Sequence, residues 1–307
     1  MNTNNLPLVT IAIITYNSSK TLGETLESIK NQSYSNLEVI ISDDVSKDNT
    51  IEICENWKTE NQHKFSGGIK ILRNKENKGI APNRNKCVKA ASGEWIKFVD
   101  GDDLLTPDSI ELFVQNLTDE MHFVMGNYYE INGQDKKKEH LINLSFFEQL
   151  SSVQLIEQEK KLNVLWPGTF HRRETWLKIG GMDERFPMLD DTPFFIKVLE
   201  LGYKFYGINE FVFIYRVHSD SAQKSLGFHI SHVNYINQVV VPKYKKEGKY
   251  VDYWHDKLWT KKELLKLDGK NVKAGFIKAL MLVSDTKEWK YLIRDKIWRP
   301  IVFRLRK

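Results

Sequence analysis

Three carboxylates stand within four residues at Asp100-Gly101-Asp102-Asp103, directly after the strand-like run Trp95-Ile-Lys-Phe-Val99. Acidic groups this close repel one another, a cost that a bound cation offsets. The chemistry open to them is ligation of a hard divalent ion, Mn²⁺ or Mg²⁺. The same residues also fit a solvated turn into a helix, with Thr106 or Asp108 as its cap. A second acidic pair, Asp43-Asp44, follows the apolar run Leu37–Ile41, and a third, Asp190-Asp191, precedes Thr192-Pro193. Asp191 or Thr192 before that proline makes a good helix start. No two glycines stand two apart, so neither GxGxxG nor GxxxxGK[ST] occurs. A bound diphosphate would therefore need a carboxylate-held cation in place of a glycine-rich backbone cradle.

The elements that must position these groups can be read from apolar patterning. Leu8–Ile14 is a continuous β-branched run, the signature of a central strand buried on both faces. Asn17 and Ser18 offer capping chemistry, and Leu22, Leu26 and Ile29 follow at helical spacing. Strands are expected at Leu37–Ile41, Ile69–Leu72 and Trp95–Val99, with helices at about 48–57 and 82–91 between them. This alternation implies right-handed crossovers and a mostly parallel sheet flanked by helices, an α/β fold. Ligands of such sheets collect at the carboxyl ends of the strands, where the polar residues above fall. The second half is less regular: helices at about 108–117 and 192–201, strands at about 123–127 and 210–216, and a charged loop tip at 135–139.

Composition narrows the setting. Cys54 and Cys87 form neither a disulfide framework nor a metal-type spacing, which favours a reducing compartment. The polar stretch Met1–Pro7 lacks the layout of a signal peptide, and no run reaches the length of a membrane span, so a cytoplasmic protein is expected. Charge is unevenly placed. Residues 243–307 hold 19 basic and 8 acidic side chains, against 26 basic and 32 acidic in the remainder. An acidic body with a basic tail predicts a negatively charged surface as partner, and the acidic body argues against nucleic acid. In the tail, Trp289, Ile293 and Ile297 recur every four residues among Lys287, Lys290, Arg294, Lys296 and Arg299. That basic amphipathic pattern suits peripheral docking on an anionic plasma membrane, or packing on the rest of the chain with solvated lysines.

Several motifs occur in a fixed order: Val9-Thr-Ile-Ala-Ile-Ile-Thr-Tyr-Asn17, Leu26-Glu-Ser-Ile-Lys-Asn-Gln32, Leu37-Glu-Val-Ile-Ile-Ser-Asp-Asp44, Asp48-Asn-Thr50, Asn77-Lys-Gly79, Asn83-Arg-Asn85 and Gly93–Asp103. Together, over roughly residues 8–220, they resemble the family 2 glycosyltransferases. The resemblance implies a GT-A fold and inverting transfer from a nucleotide sugar, here a UDP-sugar, with a divalent metal. Thr15, Tyr16 and Asn17 would form the donor loop, with Tyr16 stacked on the base and Asp44 hydrogen-bonded to it. Arg84 would lie near the base or diphosphate. Asp100, followed by Gly101, would approach the ribose or metal, and Asp102 would bind the metal directly. Val45 stands where the family usually has glycine, which leaves the conformation of that loop open.

Met188-Leu-Asp-Asp-Thr-Pro-Phe194 resembles the family's acceptor-end Glu-Asp motif, with Asp190 in place of the usual Glu. An inverting displacement needs one carboxylate to deprotonate the acceptor hydroxyl, and the resemblance puts that base at Asp191. A helix start there is compatible with this role, since a helix N-terminus favours a negative charge. Trp166, Gly168 and Thr169 would form an acceptor-side loop together with Asp190, and His218 would be either a further metal ligand or a structural histidine. The expected organisation is a catalytic domain over 1–224, with a nucleotide-binding half over 1–103 and an acceptor-binding half over 104–224. A helical basic extension follows over 225–307. The function this implies is assembly of a bacterial surface polysaccharide on a glycan or lipid-linked acceptor. A nucleotidyltransferase would show a glycine-rich basic loop near the first strand, and Thr15-Tyr16-Asn17-Ser18 is neither. A non-catalytic carbohydrate-binding protein is disfavoured by the joint presence of Asp44, Asp102 and Asp191.

Overall fold

The β-branched runs do form the centre of a sheet. The structure, a computed structural model, describes residues 6–132, 137–141, 168–189, 191–217 and 225–246. Strands β1 (Val9–Thr15) and β2 (Leu37–Asp43) are buried along their whole length, as their uninterrupted apolar character requires. With β3 (Ile69–Arg73) and β4 (Trp95–Asp100) they make a parallel array in the order β3-β2-β1-β4. The crossovers are α1 (Leu22–Lys30), α2 (Thr50–Asn61) and α3 (Ile80–Ala90). Leu22, Leu26 and Ile29 of α1 are fully buried, the apolar stripe that fastens it to the sheet.

Beyond β4 the sheet is mixed, where a mostly parallel one was expected. After the two-residue β5 (Leu104–Leu105) and α4 (Ser109–Gln115) come β6 (Phe123–Ile131), β7 (Lys138–His140) and β8 (Thr169–Arg172). Then follow α5 (Arg173–Lys178), α6 (Asp191–Glu200) and β9 (Phe205–Arg216). The nine-stranded sheet runs β3-β2-β1-β4-β8-β6-β9-β5, with β7 also on β6. β8 lies antiparallel to both β4 and β6, while β6 and β9 are parallel to each other. The chain re-enters the sheet at β8 running against β4, and the strict βαβ rhythm ends there.

Stacked aromatic rings fill the core beneath this second half. Trp95 lies parallel to Phe170 at 5.0 Å between centroids, and Phe113 to Phe170 at 4.7 Å. Phe194 of α6 meets Trp176 of α5 at 4.1 Å and His171 of β8 at 5.7 Å. These contacts fix the start of α6 against the sheet. Cys54 and Cys87 are buried free thiols, both pushed up to about 12 by burial.

The chain divides into two compact units, Met1–Ser221 and Ala222–Lys307. In the second, the described residues form α7 (Leu226–Tyr235), a wider helical turn over Ile236–Val240, and α8 (Val241–Lys246). Ser225 caps α7 by accepting a hydrogen bond from the backbone N–H of Phe228. Among the described residues no helix is long and apolar enough to cross a membrane. The amphipathic tail around Trp289, with Trp166, Asp190, His218 and residues 135–136 of the charged loop tip, lies outside the described residues, while Lys138 and Glu139 of that tip belong to β7.

Candidate active site

Parallel register brings the strand ends together. Thr15 pairs with Asp43 and Ile14 with Asp100, so the loops after β1, β2 and β4 emerge side by side. Gly101 is required there: a Cβ would lie 2.8 Å from Ser18 Oγ and 3.1 Å from Thr15 Cγ2. Its N–H donates to Ile14 O at 3.0 Å, and Thr21 Oγ1 donates to its carbonyl at 2.9 Å.

The loops after β1 and β2 are laced to each other. Asn17 N donates to Ser46 Oγ and Lys47 N to Asn17 Oδ1, both at 2.8 Å. Asn17 and Val45 both adopt left-handed backbone, with φ of 52° and 68°. Val45 thus takes a conformation that favours glycine, and a β-branched residue is strained in it. Tyr16, at the crest of the β1 loop, is half exposed, leaving its ring open to a flat ligand.

Asp44 is buried and already engaged. Its carboxylate accepts from Asn74 Nδ2 at 2.7 Å, from Lys78 N at 2.9 Å and from Gly79 N at 2.7 Å. The Asp44 carboxylate thus grips the 77–79 turn that starts α3. Gly79 makes that turn with φ of 87°, and a Cβ there would meet Pro187 O at 2.8 Å.

Consecutive residues on α3 point about 100° apart, so Asn83, Arg84 and Asn85 reach three different elements. Asn83 Nδ2 donates to Ser42 O on β2 at 3.0 Å. Asn85 donates to Met182 O and accepts from Met182 N, each at 2.9 Å, which pins the turn leading to α6. Arg84, side chain 12% exposed, lies between: Nη2 donates to Asp100 Oδ1 at 2.9 Å and Oδ2 at 3.2 Å, and Nη1 to Asp191 Oδ1 at 3.3 Å. Sequence reasoning placed Arg84, Asp100 and Asp191 in one site, and the structure brings them into contact. It overlooked Asn83 and Asn85 as supports, although the motif that contains them was visible.

Asp100, Asp102 and Asp103 offer oxygens all within 4.8 Å of one another. This is the donor chemistry of a hard divalent cation. Asp103 is the interior member: its Oδ1 accepts from Arg216 N at 2.8 Å, while Arg216 Nε donates to Asp102 O at 2.9 Å. Burial, then Asp102 and Asp100 beside it, raises the Asp103 carboxyl well above the usual range. Asp100 and Asp102 are the part-exposed members of the cluster.

Two buried ionisable groups went unremarked in the sequence. Lys97 of β4 is fully buried, with Nζ 3.2 Å from Thr169 O and 4.5 Å from the Phe213 ring centroid. Burial, with Arg84 nearby, pulls it down to about 7, while Asp103 and Asp100 act in the opposite sense. His171 Nε2 lies 3.0 Å from Thr169 Oγ1, and burial holds this histidine well below its usual range. A lysine in the middle of an apolar strand was the available signal. Thr169, expected on an acceptor-side loop, instead lies in β8 with its polar atoms turned to Lys97 and His171. Gly168 is packed against Gly126, whose N–H donates to its carbonyl at 3.1 Å. Both are interior positions because β8 is inserted between β4 and β6.

Residues 10–179 match the model of Glycosyl transferase family 2. Among curated relatives, glycosyltransferase GlyG of Streptococcus pneumoniae is 33% identical over 129 residues, 42% of this chain and 41% of GlyG. WfgD of Escherichia coli, a UDP-Glc:α-D-GlcNAc-diphosphoundecaprenol β-1,3-glucosyltransferase, is 36% identical over 128 residues, 41% of this chain and 47% of WfgD. The chain thus spans less than half the length of these relatives. The crystal structure of S. aureus TarS 1–349 in complex with UDP-GlcNAc shares the fold, with a TM-score of 0.53 at 16% identity, over 95% of this chain and 77% of TarS. The motif order, the strand-end carboxylates and the match over more than half the residues agree, and the chain belongs to the family 2 glycosyltransferases, enzymes of the GT-A fold.

Proposed function

We propose that the chain transfers a sugar from a UDP-sugar to a glycan or lipid-linked acceptor, with inversion, in assembly of a bacterial surface polysaccharide. The observation that carries this reading is the Arg84 bridge, which holds the metal-side carboxylate Asp100 and the candidate base Asp191 on one guanidinium. Donor and acceptor chemistry would meet there. WfgD, whose name specifies UDP-glucose and a diphosphoundecaprenol-linked sugar, supports the choice of donor and acceptor class, and so does the TarS complex with UDP-GlcNAc.

In this reading Tyr16 stacks on the base, and the laced β1 and β2 loops hold it in place. Asp100 and Asp102 would hold Mn²⁺ or Mg²⁺. Bound there, the ion would neutralise the departing diphosphate. Asp191 accepts the proton of the acceptor hydroxyl as its oxygen bonds to the anomeric carbon. The bond from that carbon to the diphosphate oxygen breaks, and UDP departs with the electron pair. No covalent sugar–enzyme intermediate is formed. Asp191 sits at the start of α6, where the helix terminus favours its charged form.

Asp191→Asn is expected to abolish transfer, about a thousandfold or more in kcat, while UDP binding survives. Near-full turnover by this variant would remove Asp191 from the role of base. A thermal-shift screen of nucleotide sugars with Mn²⁺ would identify the donor.

A further inference from the structure

We propose that Arg84 exchanges partners during the catalytic cycle, releasing Asp191 when the donor diphosphate arrives. The inference rests on the reading of Asp191 as base and of Asp100–Asp102 as the diphosphate side. Arg84 spans both carboxylates, and its contacts with Asp100 and Asp191 are unequal. Nη2 makes two contacts with Asp100, at 2.9 and 3.2 Å, whereas Nη1 reaches one oxygen of Asp191 at 3.3 Å. The Asp191 contact is long for a charge-assisted hydrogen bond and is the weaker of the two. Arg84 is also steered from one side: its guanidinium carbon lies 5.4 Å from the Phe98 ring centroid, on the same strand as Asp100.

A diphosphate entering beside Asp100 brings at least two negative charges to a guanidinium whose fork suits phosphate oxygens bidentately. Nη1 then turns from Asp191 to the diphosphate. The Asp191 oxygen that faced Nη1 then turns that lone pair to the acceptor hydroxyl. Arg84 is in this sense a positioning residue for the base. Its exchange links donor occupancy to the availability of Asp191, so an enzyme without donor keeps its base engaged. A lysine could not serve, because one ammonium cannot hold the two carboxylates in a planar fork.

The exchange predicts an energetic coupling between Asp191 and Arg84 in UDP binding, where no sugar is transferred. The experiment is isothermal titration of UDP, with Mg²⁺ in excess, into the full chain and into Asp191→Asn, Arg84→Met and the double variant. With Arg84 present, Asp191→Asn removes the carboxylate that competes with the diphosphate for Nη1, and UDP binds about fivefold to tenfold more tightly. In the Arg84→Met background the same change alters affinity less than about twofold, the residue of through-space repulsion. Arg84→Lys serves if Arg84→Met does not fold: it recovers part of the affinity but leaves the Asp191 effect under about twofold. Equal effects of Asp191→Asn with and without Arg84, or weaker UDP binding in Asp191→Asn, would overturn the exchange. Loss of the base role would show instead as retained turnover, a separate measurement.

Discussion

Asp44 offers the sharpest separation of a ligand contact from a structural one. The carboxylate receives three donors: Asn74 Nδ2 from the residue after β3, and the backbone N–H groups of Lys78 and Gly79 from the turn that opens α3. Asp44→Ala removes all three acceptor contacts. Gly79 is buried, so its N–H loses its partner without access to water, at about 1–3 kcal/mol. Lys78 is exposed and Asn74 partly so, and water compensates most of their loss. A total near 3 kcal/mol follows, which for a domain of this size lowers Tm by about 6–12 °C. UDP affinity should fall with it, because the turn sets the start of the helix that carries Arg84. Asp44→Asn keeps one acceptor oxygen but turns an NH₂ toward N–H donors, so it should fall between wild type and alanine. Circular dichroism melts beside UDP titration provide the assay. An Asp44→Ala protein with unchanged Tm and abolished UDP binding would refute the reasoning and make Asp44 a ligand contact alone.

Other positions yield shorter tests. Val45→Gly relieves a left-handed β-branched residue, a gain of about 1–2 kcal/mol, offset by about 0.5–1 kcal/mol of glycine entropy; urea unfolding should show a net gain of up to about 1.5 kcal/mol. Glu38 is fully buried, and burial alone would raise its carboxyl, but bonds from Lys70 Nζ, Ser92 N and Thr10 Oγ1 outweigh burial and lower it. Its stabilisation is complete above the unfolded pKa of about 4.3 and is lost as pH falls through the lower folded value. Glu38→Gln should therefore be less stable at pH 7 and show a shallower acid limb in Tm against pH, and parallel limbs would contradict this.

The parallel half of the fold was legible because each strand there is a single apolar run bounded by polar residues. Its ends ran further than apolarity alone suggested. β1, β2 and β4 include Thr15, Asp43 and Asp100 because the parallel ladder continues past the last hydrophobic residue. α3 begins at Ile80, ahead of Pro82, since the Gly79 turn held by Asp44 supplies its start; Pro82 then lies in the first turn, where a missing N–H costs nothing. β9 was read from Glu210, but its ladder starts at Phe205. The polar Asn209-Glu210 pair inside this strand marks the register shift against Gly126–Asn127. The acidic cluster and Arg84 were legible as residue types. Their contacts, and the inward turn of Thr169, depend on which strand lies beside which, and no local pattern encodes that.

Asp100, Asp102 and Asp103 would repel one another strongly if the fold gave them no counter-charge, and the chain supplies several. Arg84 holds Asp100, and Arg216 donates its N–H to Asp103 and its Nε to the carbonyl of Asp102. Arg216 is itself held by Glu24 of α1. The carboxylates are thus arranged by protein cations before any ion arrives, so folding should not depend on a metal. EDTA should then shift Tm of the ligand-free protein by less than about 2 °C while stopping transfer. Mn²⁺ with UDP at a hundred times its Kd should raise stability by about 2.7 kcal/mol through mass action alone. A large fall in Tm on chelation without nucleotide would show that the carboxylate repulsion is not met by Arg84 and Arg216, and that the metal is part of the fold.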